Sequence, residues 1–178
     1  MITSHVFIAT SLDGFIARQD GSIDWLLQRD DPTEDHGYTD FIADKDAIVM
    51  GRGTYEKVLT LGAWPYDRPV WVLSKQLAGA PVPEALKGKL RFSSSSPQSV
   101  LQELAGENIR RVYVDGGRLV QSFLRDGLID DMVITTVPVL IGSGRALFGD
   151  LPQDMDLALV SSRSFPAGRV QSTYRVIR

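Results

Sequence analysis

Through the first two thirds of the chain, apolar residues come in short runs rather than in strict alternation. His5-Val6-Phe7-Ile8-Ala9-Thr10, Ala47-Ile48-Val49-Met50, Val70-Trp71-Val72-Leu73 and Arg111-Val112-Tyr113-Val114 are the clearest, with a shorter one at Leu90-Arg91-Phe92. Such runs predict strands buried on both faces, as in a parallel sheet sandwiched between helices. Between them, four segments read as helices: Tyr38 to Ala43, the stretch opened by Gly51-Arg52-Gly53, Pro97 to about Ala105, and the stretch from Gly116-Gly117 to about Asp126. Pro97 suits a first helical turn. From Ser11 to Ile23, Gly, Asp, Ser and Gln surround the apolar pair Phe15-Ile16. This composition predicts an exposed loop pinned by a few buried side chains, a lid in character.

The pattern changes after Asp131. Met132 to Ile141 reads as one long strand broken only by Pro138, where an edge position or bulge is expected. Leu157 to Ser164 and Val170 to Ile177 flank Pro166-Ala167-Gly168, a hairpin turn. Strand and helix units first, antiparallel strands last, predict an α/β fold of three layers. Its mixed, mostly parallel sheet carries helices on both faces.

At 178 residues the chain suits one domain, residues 1–178, with one well-buried core. A hydrophobic content of 43% and a charged content of 23% fit an ordinary globular protein. With no cysteine, disulfides, thiolate nucleophiles, iron–sulfur clusters and cysteine-ligated zinc are closed. A net charge of −3 argues against nucleic acid as partner and leaves room for a local basic pocket holding a small phosphorylated molecule. No run is long enough to span a bilayer and no signal-peptide pattern opens the chain, so no membrane contact and a cytoplasmic location are expected.

Two strand ends run directly into glycines that open helices, Met50-Gly51-Arg52-Gly53-Thr54 and Val114-Asp115-Gly116-Gly117-Arg118. Glycine lets a backbone approach a ligand closely, and the first N–H groups of a helix are free to meet an anion. Either junction alone reads equally well as a tight strand-to-helix turn; together, at neighbouring strand ends, they could hold two halves of a dinucleotide. Arg52 and Arg118 could grip phosphate bidentately, and Ser74 and Lys75 follow a third strand. A hydroxyl, an ammonium and a guanidinium there would favour NADPH over NADH, although Lys75 alone reads as a solvated loop residue. The Gly-x-Gly-x-x-Gly fingerprint and the Walker pattern are absent, and Gly142-Ser143-Gly144 reads as a turn. Neither His5 nor His36 has partners at metal-ligand spacing. Ser11 and Asp13 lack the elbow a hydrolase nucleophile needs.

These motifs, taken in order, resemble the dihydrofolate reductase superfamily, in particular the branch that includes the reductase domain of the riboflavin-biosynthesis deaminase-reductase. The resemblance is carried by Ala9, Ser11 to Ala17, Gly21 to Trp25, Val49 to Glu56, Leu73-Ser74, Val114 to Leu119 and Pro138 to Gly144. It implies a dihydrofolate reductase-like fold and an NADPH site. Ala9 and Ile16 would face the nicotinamide; Gly51, Arg52, Gly53 and Thr54 with Gly116, Gly117, Arg118 and Leu119 would take the phosphates; Leu73, Ser74 and Lys75, with Arg52, would border the adenosine. The Ser11 to Ile23 loop would close over the nicotinamide and exclude water.

The substrate side departs from that pattern. A lysine expected two residues before Ala9 is Phe7, the zinc deaminase half is missing, and an acidic stretch with Glu34 and Asp35, followed by Asp40, stands where pterin reductases carry their acid. Asp13, as catalytic and substrate-binding residue, and Trp25, as substrate-binding residue, are the candidates there. The expected activity is hydride transfer from NADPH to a small heteroaromatic, imine or carbonyl substrate. That substrate could be 5-amino-6-(5-phosphoribosylamino)uracil or a dihydrofolate or pterin; a sensor that binds NADPH without turnover is the alternative. A homodimer is expected from the apolar C-terminal strands and from the resemblance.

Overall fold

A computed structural model describes all residues, Met1–Arg178. The chain runs β1 (Thr3–Ser11), β2 (Phe15–Ala17), α1 (Asp24–Leu27), α2 (Tyr38–Ala43), β3 (Ala47–Gly51), α3 (Arg52–Leu59), β4 (Val70–Leu73), β5 (Leu90–Ser93), α4 (Pro97–Gly106), β6 (Arg111–Asp115), α5 (Gly117–Arg125), β7 (Asp131–Val137), β8 (Arg145–Ala146), β9 (Leu157–Ser164) and β10 (Val170–Val176). The main sheet has eight strands in the order β5-β4-β3-β6-β1-β7-β10-β9. Every pairing from β5 to β7 is parallel, and β10 runs antiparallel to both β7 and β9.

Successive side chains on a strand point to opposite faces, so an unbroken apolar run fills two cores at once. In β3, Ala47 and Val49 join the core formed with Leu104 of α4 and Val120 and Phe123 of α5, whereas Ile48 and Met50 join the core formed with Tyr55, Val72, Leu86 and Tyr113. Each fully buried Val, Leu, Ile, Phe or Met among them contributes roughly 1.5–3 kcal/mol. Ser96 caps α4 by accepting from the Ser99 N–H at 3.2 Å, with Pro97 in its first turn. α5 buries Leu119, Val120, Phe123 and Leu124 along one face.

Two expectations are corrected. β7 ends at Val137 rather than Ile141, because Pro138 has no N–H to donate to a ladder and Val139 donates instead to Val137 O at 2.8 Å. The Ser11 to Ile23 segment is no free loop: its centre, β2, pairs antiparallel with β8, and the short α1 follows it.

Candidate functional site

Parallel order brings the carboxyl ends of β4, β3 and β6 side by side, with Gly51 opposite Leu73 and Met50 opposite Asp115. Neither Gly51, which leads into α3, nor Gly116, which leads into α5, caps its helix with a side chain, so the first N–H groups of both helices are free. Gly116 has φ +99°, and a Cβ there would lie 2.5 Å from the Thr54 hydroxyl. The two junctions therefore touch, and only glycine fits between them. A Cβ on Gly117 would stand 2.7 Å from Ile16 Cδ1 and 3.1 Å from the Ala146 carbonyl, and one on Gly51 would meet Leu119 Cβ at 3.9 Å. Ile16, Gly51, Thr54, Gly116, Gly117 and Leu119 thus form one floor along the sheet edge.

The cations around this floor differ in their engagement. Arg118 and Lys75 have no carboxylate partner, while Arg52 lies 3.6 Å from Glu56 and donates to Gln76. The Ser74 hydroxyl accepts from Gln76 N and Leu77 N, both at 3.2 Å, and holds the turn after β4. Arg145 joins them although its sequence position gives no hint of it. Its guanidinium reaches within 3.7 Å of where a Cβ on Gly53 would sit, and it pairs with no carboxylate. Ala9, half-buried on β1, stands beside Thr135 of β7.

Asp115, the last residue of β6, is half-buried where the glycines begin. Burial pushes its carboxyl up to about 6, against the Gly116 N–H and Tyr113 hydroxyl that favour the charged form. Burial, then the Asp115 charge, raises Tyr38 to about 12 and holds Tyr66 and Tyr113 higher still. The surroundings are aromatic: Phe7 lies 5.6 Å from Tyr38 and 5.0 Å from Phe41, and Tyr113 lies 5.2 Å from Phe41 between ring centres. Phe7 also borders a cleft of about 420 Å³ beside α2, lined further by Asp40, Gln171 and Thr173. A carboxyl that titrates near neutrality can hold and release a proton. The sequence signal was an acid at the carboxyl end of a parallel strand, masked by its place inside a glycine motif.

Asp13 is unsuited to the acid role expected of it. Its carboxylate accepts from the Ser11 hydroxyl at 2.6 Å, from Gly142 N at 2.8 Å and from Ile141 N at 3.1 Å. The Ser11 hydrogen bond and these N–H groups hold it below the usual carboxylate range, so it has no proton to give at neutral pH. Trp25 is fully enclosed, its indole N–H without a hydrogen-bond partner. Asp35 is held at about 2 by Thr39 and by the N–H of Gly37, at the start of α2. Glu34 accepts from the N–H of His36, and Asp40 lies exposed on α2. The structure therefore gathers Ile16, Gly51, Thr54, Gly116, Gly117 and Leu119 at one edge, with Arg145 near Gly53. No helix is long and apolar enough to cross a membrane.

A family model described as the RibD C-terminal domain matches residues 4–170. The uncharacterized protein YwjB of Bacillus subtilis is 34% identical over 164 residues, covering 90% of each chain. The crystal structure of a candidate riboflavin biosynthesis protein from Shewanella sp. PV-4 superposes with a TM-score of 0.93 at 36% identity, covering 99% of this chain and 100% of that one. The deaminase and 5-amino-6-(5-phosphoribosylamino)uracil reductase of Thermotoga maritima superposes with a TM-score of 0.73 at 17% identity, a likeness of fold alone; the match covers 99% of this chain and 57% of that one.

Proposed function

Because the chain belongs to the RibD C-terminal domain family, we propose that it is an NADPH-dependent reductase that delivers a hydride to a small nitrogen heterocycle of the kind met in riboflavin synthesis. The observation that carries this reading is the contact of two glycine junctions at neighbouring strand ends, directly beside a carboxyl titrating near 6. NADPH, when bound, supplies the hydride.

The chain's own residues do the rest. The free N–H groups after Gly51 and Gly116, with Gly53, Thr54, Gly117 and Leu119 shaping the floor, receive the pyrophosphate, and Arg118 offsets its charge. Leu73, Ser74, Lys75 and Arg52 border the adenosine and its 2′-phosphate. Ala9 and Ile16 face the nicotinamide. Asp115 replaces Asp13 as the proton source: protonated, it hydrogen-bonds the nitrogen of the C=N bond to be reduced and passes its proton there as the hydride arrives at the carbon of that bond.

A second reading, reduction of an unphosphorylated pterin-like ring, is favoured by Phe7, which stands where the resemblance expects a lysine. Exposure of 60% at Leu159 and 59% at Val160 on the edge strand β9 supports the expected homodimer. The test is a titration with NADPH and NADH, followed by tryptophan fluorescence, in wild type and Arg118→Ala. It is followed by NADPH oxidation with 5-amino-6-(5-phosphoribosylamino)uracil and with dihydropterin. We expect NADPH to bind more tightly than NADH and the variant to lose about tenfold, as one charge-assisted contact is worth. Absence of NADPH binding removes this reading.

A further inference from the structure

Residues 12–21 and residues 139–147 meet at a series of points. Leu12 donates to Val139 O at 2.8 Å, Leu147 donates to Gly14 O at 3.0 Å, Phe15 pairs with Ala146 and Ala17 with Arg145. At the far end Gln19 donates to Gly144 O at 3.4 Å and receives Arg145 Nε at its own carbonyl at 3.3 Å. A side chain at Gly144 would strike the Ala17 carbonyl, so the segments approach to backbone contact. Asp13 closes the near end, holding Ile141 N, Gly142 N and the Ser11 hydroxyl with a single carboxylate. Together the paired segments touch both glycine junctions, Ile16 against Gly117 and Arg145 near Gly53.

We infer that Asp13 is a positioning residue, a latch that makes these two segments one flap over the glycine junctions and takes no part in proton transfer. The latch follows from the hydrogen bonds; its consequence for cofactor retention rests on the NADPH reading above. Acting through the backbone of Ile141 and Gly142, Asp13 sets where the neighbouring Arg145 sits and how firmly Ile16 covers Gly117. Loss of the latch lets both segments lift together, and the cofactor then leaves faster.

Amide hydrogen exchange and NADPH titration test this in Asp13→Ala and Asp13→Asn. In Asp13→Ala we expect faster exchange at Ile141 and Gly142 and also at Leu12 and Leu147, whose amides bond across the two segments rather than to the Asp13 carboxylate, with NADPH bound about tenfold more weakly through faster release. Asn keeps one acceptor oxygen for Gly142 and Ile141, so Asp13→Asn should hold the joint protection and bind NADPH within about threefold of wild type. Faster exchange confined to Ile141 and Gly142 overturns the latch, as does loss of turnover in Asp13→Asn as deep as in Asp13→Ala. Joint loss of protection in a protein that binds no NADPH keeps the latch and rejects the cofactor reading. If Asp13→Ala does not fold, Asp13→Ser, too short to reach Gly142, takes its place with the same expected outcomes.

Discussion

Asp13 and Asp115 sit at the same edge of one sheet, each just beyond or at the end of a parallel strand, and each precedes a glycine. Asp13 meets an open loop that supplies a hydroxyl and two backbone N–H groups, and its carboxyl is held low. Asp115 is half-buried beside tyrosine rings, and its carboxyl is pushed up to about 6. The residue type is the same in both places; the number of donors and the depth of burial decide which carboxyl is held low and which is raised. Sequence pattern favours Asp13, because an Asp-Gly in a loop looks available for chemistry. Folding gives that availability to Asp115 instead.

The largest effect that would break this contrast is on turnover. Asp115→Asn should lower kcat about 100-fold or more, the usual worth of a positioned acid, and abolish the fall in activity as pH rises through about 6. Wild-type pH dependence in that variant would return the acid role to another group. A smaller effect is expected at the junction both readings share. In Gly116→Ala the new Cβ meets Thr54 at 2.5 Å with the backbone at φ +99°, so NADPH affinity should fall at least tenfold, measured by titration. Unchanged affinity would detach the glycine contact from binding.

The smallest effect is on stability. A carboxyl raised in the fold binds its proton more tightly there than in the unfolded chain. Its ionisation therefore costs stability as pH climbs from about 4 to about 6 and keeps that cost above. Asp115→Asn should then be more stable than wild type at pH 8 by roughly 1–2 kcal/mol, discounted for partial exposure, with the difference gone below pH 4. Urea titrations at the two pH values measure this; equal stability at both would mean that Asp115 is not raised.

Legibility in the sequence followed the length and burial of each element. β1, β3, β4 and β6 announced themselves because a doubly buried strand leaves no polar position to blur the run. β2 and β8 stayed hidden, since three- and two-residue ladders leave no periodicity. α1, with four residues, offered only Trp25, whose size reads equally as core or as ligand platform; full burial made it interior. Both glycine junctions could be named as phosphate-type turns, but their contact through Thr54 and Gly116 depends on β3, ending at Gly51, and β6, beginning at Arg111, being neighbours in the sheet.

By itself, then, the sequence determined the α/β class, the parallel-then-antiparallel order of strands and the glycine turns that lead from strand into helix, because hydrophobic runs and glycine conformational freedom are local properties. Only the tertiary structure decided which carboxyl is raised and which is held low, that Arg145 lies near Gly53, and that the Ser11 to Ile23 segment pairs with β8. Each of these depends on groups brought together from distant parts of the chain, and burial and hydrogen bonding exist only once they meet.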